Sequence, residues 1–160
     1  MTEDAATRSL EARHALVGAD YRIASPARVA LEGDRIARVE EGGEGAPDTL
    51  VLPCLTNAHD HARPVRSSTY GAAGKPLEQW LNWLALVPAV DPYLATAVSL
   101  GRSVLGGAGA VMVHYTRVQG LTPLPEEAAA VARAANDVGV RIGFALALRD
   151  RNPLVYGPSD

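Results

Sequence analysis

The chain has one cysteine, Cys54, and one lysine, Lys75, in 160 residues. A single thiol excludes an internal disulfide framework and suits a reducing compartment. With no second thiol or basic partner beside it, Cys54 reads as buried and unreactive. Aromatic residues are scarce at 5%, and Phe144 is the one phenylalanine, so the core has to come from Ala, Val and Leu. No uncharged apolar run reaches the roughly 18 residues of a membrane span. The acidic start Met1-Thr-Glu-Asp lacks the basic and apolar regions of a signal peptide. The cytoplasm is the expected location. A net charge of -3 gives no general attraction to nucleic acid or anionic lipid. No Gly-x-Gly-x-x-Gly follows a strand and no Gly-Lys-Ser/Thr loop occurs, so nucleotide binding has no support.

What is present changes period along the chain. Residues 1–15 are polar and read as a tail, with a short helix conceivable over Ser9–His14. From 16 to 52 short apolar pieces alternate with turns, and Gly33-Asp34 between Val29-Ala-Leu31 and Ile36 reads as a hairpin turn. This is a small antiparallel β portion, too short-stranded to bury a good core alone. Beyond residue 53 continuous apolar strands at 53–59, 109–114 and 140–147 alternate with helical patterns over 77–87, 92–105 and 124–136. Asp91 suits an N-cap before Pro92, and Thr122 a cap for the third helix, with Glu126 and Glu127 in its first turn. Strand and helix in alternation predict an α/β fold with parallel strands and helices outside. An open doubly wound sheet and the opening units of a (β/α)8 barrel both fit that pattern.

The chemistry concentrates in Val51-Leu-Pro-Cys-Leu-Thr-Asn-Ala-His59-Asp-His61. Residues i and i+2 of a strand share a face, so His59 and His61 aim their imidazoles together while Asp60 faces away. Neutral imidazoles are good ligands for Zn, Fe, Ni or Co. The spacing alone also fits a surface strand end with no ligand role. Barrel enzymes place chemistry at the C-terminal ends of strands. His59 and His61, His114 and Tyr115, and Arg149 and Asp150 all fall there.

The run Thr49 to His61 resembles the first barrel strand of the amidohydrolase superfamily, in which a hydrophobic strand, Pro, a small residue and Asn-Ala-His-x-His deliver two metal ligands. Cys54 stands where the family commonly has Gly. The resemblance extends to the cytosine-deaminase, guanine-deaminase and triazine-hydrolase-like branch, and it implies the N-terminal part of a (β/α)8 barrel preceded by strands of a small β-sandwich. The expected divisions are therefore 1–15, 16–52 and 53–160. The resemblance further implies one divalent metal ion, Zn or Fe, held by His59 and His61. It also implies hydrolysis or deamination at a C–N bond of a cyclic amide or amidine. The family's later metal ligands and proton shuttle come from strands that have no match here. A catalytic group is therefore not assigned in this chain, and a complementary chain is expected to supply the missing strands and ligands. Candidate substrate contacts are His114, Tyr115, Arg117, Arg63 and Arg149, each set against an ordinary structural or solvated role. A non-catalytic pseudoenzyme subunit and a small α/β binding module are the competing readings.

Overall fold

The computed structural model describes residues 7–147, and the chain divides into two units that meet at Pro53 and Cys54. Among the described residues the first holds six strands: β1 (Thr7–Ala12), β2 (His14–Val17), β3 (Arg22–Ala24), β4 (Ala27–Glu32), β5 (Arg35–Glu41) and β6 (Leu50–Val51). They form two three-stranded sheets, ordered β1-β4-β5 and β3-β2-β6. Gly33, at φ 60°, turns β4 into β5. The pairing is antiparallel except for β2 with β6, which is parallel. Ala15, Ala24 and Ala27 are the buried centre, with Val17 and Val51 against them.

Of the tail expected over residues 1–15, the described part is instead mostly strand, Thr7–Ala12 and the start of β2 at His14. Leu10 pairs with Val29 and Ala12 with Ala27 along β4. A helix confined to Ser9–His14 would hold too few bonds to offset its nucleation, whereas β4 offers a ready edge.

The second unit contains the parallel sheet β7-β8-β9, formed by β7 (Leu55–Asp60), β8 (Ala108–Tyr115) and β9 (Arg141–Leu146). Two long helices cover one face, α2 (Pro92–Leu105) and α3 (Leu124–Val138), after a short α1 (Leu77–Trp80). Asp91 caps α2 by accepting from the Leu94 N–H at 2.9 Å. The α3 helix starts at Pro123 with no side-chain cap, so Thr122 does not take that role. It ends on Gly139 at φ 77°, whose N–H reaches the Ala135 carbonyl. The helix expected over 77–87 is one α turn followed by a 3-10 stretch, Leu81–Leu86. It has no side-chain N-cap and is bracketed by Pro76 and Pro88, which leaves it short for a regular helix.

Alternation along β8 sorts the residues to two faces. Val111, Val113 and Tyr115 pack against Leu100 of α2 and against Val131 and Ala135 of α3. Met112 and His114 therefore point to the other face. Cys54 is exposed rather than buried, and its Sγ lies where a Cβ on Gly109 would come within 2.6 Å. Gly109 thus lets β8 start beside β7. A mixed α/β fold with part of a barrel-like parallel sheet agrees with the sequence expectation. Among the described residues, no helix is long and apolar enough to cross a membrane.

Candidate metal centre

The end of β7 is fixed from behind. Asp60 turns away from the histidines, and its Oδ1 accepts from the Ala62 N–H at 2.7 Å and the Ser99 hydroxyl of α2 at 2.9 Å. Asn57 donates to Asp60 Oδ2 and to Ser103 Oγ, while its Oδ1 accepts from the His59 N–H. These bonds tie the strand end to α2 and hold Ala62 at φ 51°, a sharp turn immediately after His61.

On the opposite side His59 and His61 converge. Their Nε2 atoms lie 3.2 Å apart, with the rings nearly perpendicular. Two nitrogens on one tetrahedral zinc, each about 2.0–2.1 Å from it, would be separated by about 3.3 Å. The observed spacing fits two ligands of one ion. His61 Nδ1 lies 2.8 Å from the His114 carbonyl oxygen. A carbonyl only accepts, so Nδ1 carries the proton and Nε2 keeps its lone pair for a metal. Burial pushes His61 below the ordinary imidazole range. The His114 bond opposes this shift, while Arg63 and His59 add to it. The neutral ring that results is the ligating form.

The remaining expected contacts separate. His114 stacks on His59, ring centroids 4.4 Å apart, and so joins the centre through its ring and its carbonyl. Arg63 donates to Thr116 Oγ1 at 3.1 Å and lines a cleft of about 430 Å³ with His59, His61, Arg66, Ser99, Arg102 and Ser103. Tyr115 is turned the other way, 2% exposed, its hydroxyl donating to Glu127 Oε2 at 2.7 Å. A buried phenol committed to a carboxylate has no opening toward a substrate, so that expectation is corrected. Arg117 donates to the Val87 carbonyl at 2.7 Å and latches a loop rather than facing the cleft. Arg149 falls outside the described residues.

Sequence reading missed Thr116, Ser99, Ser103 and Arg102. The last three recur at i, i+3 and i+4 on α2, a polar stripe beside Leu100 that marks a face turned toward the strand end. Among the described residues, no group of three or more His, Cys, Asp or Glu side chains is placed to hold an ion. Two histidines by themselves would fill only half of a four-ligand shell.

No family model matches the sequence, and no curated protein matches it. Solved structures do resemble the fold. A triazine hydrolase from Arthrobacter aurescens superposes with a TM-score of 0.70 at 16% identity, covering 95% of this chain and 40% of that one. Atrazine chlorohydrolase TrzN from Arthrobacter aurescens TC1, complexed with zinc, gives 0.62 at 17% identity, over 84% of this chain and 34% of that one. N-isopropylammelide isopropylaminohydrolase from Burkholderia multivorans gives 0.52 at 19%, over 85% and 36%. The likeness at these identities is one of fold, and the chain spans well under half the length of each structure.

Proposed function

We propose that this chain is the metal-binding N-terminal portion, fragment or subunit, of an amidohydrolase acting on a C–N bond of a cyclic amide or amidine. The observation that carries the reading is the 3.2 Å approach of the His59 and His61 Nε2 atoms, with His61 Nδ1 committed to the His114 carbonyl. The fold shared with hydrolases, one of them a zinc complex, supports it. A bound divalent ion, Zn or Fe, supplies Lewis acidity for hydrolytic attack. This chain's part is to present two neutral imidazoles, keep the His61 proton on Nδ1, and flank them with the guanidiniums of Arg63 and Arg66, while Arg102 donates to the Pro64 carbonyl at 2.8 Å and fixes the loop between them and α2. Those guanidiniums suit a polar or anionic substituent of a small substrate. The remaining ligands and the general base would come from a complementary polypeptide carrying further strands. Its interface would exceed the ordinary class of roughly 1,600 Å², being a domain core cut in two.

Elemental analysis of the complete assembly tests the reading. His59→Ala and His61→Ala should each lose most of the bound metal, because each removes one of few ligands. Unchanged metal stoichiometry in both variants rejects it.

A further inference from the structure

Glu127 is a wholly buried carboxylate that the site described above does not use. Its Oε2 accepts from the Tyr115 hydroxyl at 2.7 Å and from the Gln119 N–H at 2.9 Å, and its Oε1 accepts from the Gly120 N–H at 2.7 Å. A buried carboxylate is costly without donors, and here three donors come from both ends of one loop. Tyr115 starts that loop and Gln119-Gly120 closes it. Between them stands Thr116, whose Oγ1 lies 3.3 Å from His61 Nδ1 and accepts from Arg63. The outer side of the loop is held as well, by Arg117 on the Val87 carbonyl and by Gln119 Oε1 on the Val90 N–H. The loop beside His61 is therefore gripped from α3 at both ends, and its middle faces the ring.

We infer that Glu127 is a positioning residue for the histidine pair, acting through the 115–120 loop to hold Thr116 and the His114 carbonyl against His61 Nδ1. Its functional meaning rests on the metal reading, but the arrangement it enforces exists without metal. Replacing the carboxylate with an amide puts an NH2 group toward the Gln119 N–H or the Gly120 N–H, two donors facing each other. One end of the loop then loses its anchor.

The test uses the full chain, metal-free, at a pH where His61 is neutral. Long-range proton–nitrogen correlation spectra read which ring nitrogen of His61 carries the proton. The wild type should show the Nδ1–H tautomer in large excess. Glu127→Gln should raise the minor Nε2–H tautomer about twofold or more. Tyr115→Phe removes one donor of three, is the milder variant should Glu127→Gln fold poorly, and should shift the tautomer in the same direction by less. Glu127→Gln and Thr116→Val should be non-additive, because both act on the same contact. A purely structural Glu127 would lower the melting temperature and leave the tautomer ratio unmoved, which overturns the inference, as do additive effects of the two substitutions. Failure of the complete assembly to take up zinc, with the tautomer results above intact, would reject the metal reading alone.

Discussion

At the scale of single residues, Tyr115 shows how one side chain can serve packing while standing next to a site. Burial pushes its phenol well above the ordinary tyrosine range, and the bond to Glu127 adds to the shift. The folded protein therefore holds this proton more tightly than the unfolded chain does. The resulting stabilisation is fully present below the unfolded tyrosine value of about 10 and is lost as pH rises beyond it. Tyr115→Phe should cost about 1–3 kcal/mol at neutral pH, since it leaves Glu127 one donor short. The same variant should lose less stability than the wild type between about pH 9 and 11. Denaturant unfolding across that range checks both outcomes, and parallel pH profiles for the two proteins would contradict the assignment. The orientation of His59, Asp60 and His61 was legible because strand alternation is a local rule. The fates of Tyr115 and Arg117 were not. Alternation places Tyr115 one residue out of phase with His114, on the helix side, but a rim position after a strand hides which layer a side chain joins. Thr116 was invisible because its partners lie 53 and 55 residues back along the chain, at Arg63 and His61.

At the scale of elements, α2 and α3 were readable where their ends carry chemistry of their own. Asp91-Pro92 starts α2, and Asp91→Ala should cost about 1 kcal/mol by removing the bond to the Leu94 N–H. Gly139 ends α3 in the left-handed region. The 77–87 stretch kept helical spacing yet broke into two short pieces, because periodicity reports which face is apolar and not whether the pitch is regular. The loss of β1 to a presumed tail has a similar cause, since a strand can be recruited by an edge far away in sequence. Leu100 joins α2 to the sheet at 0% exposure. Leu100→Ala should therefore destabilise the second unit by about 2–5 kcal/mol. At the start of β8, Gly109→Ala should destabilise through the close approach to Cys54, and the double variant Cys54→Gly with Gly109→Ala should recover part of the loss. Thermal unfolding of the single and double variants separates this steric account from a general dislike of Ala at that position.

At the scale of the whole molecule, the parallel sheet is the feature that asks for completion. Among the described residues β7 and β9 each pair on one side only. Leu55 on β7 is 56% exposed and Phe144 on β9 is 38% exposed. Unpaired edges with apolar side chains are templates for further strands. In sedimentation the chain should run bound to a complementary polypeptide or associated with itself. A stable monomer that binds no hydrophobic dye would contradict the proposal of a divided barrel. The parallel topology was readable from the alternation of apolar strands with helices, whereas β2 pairing parallel to β6 was not, because no local signal encodes that register.

The central claim is that His59 and His61 are two ligands of one ion, and the most direct measurement is anomalous diffraction at the zinc edge from crystals of the zinc-loaded assembly. The account predicts one zinc peak about 2.0–2.1 Å from both Nε2 atoms, with His61 Nδ1 still bonded to the His114 carbonyl. A zinc peak at other residues, with the two Nε2 atoms sharing only a hydrogen bond, would contradict it.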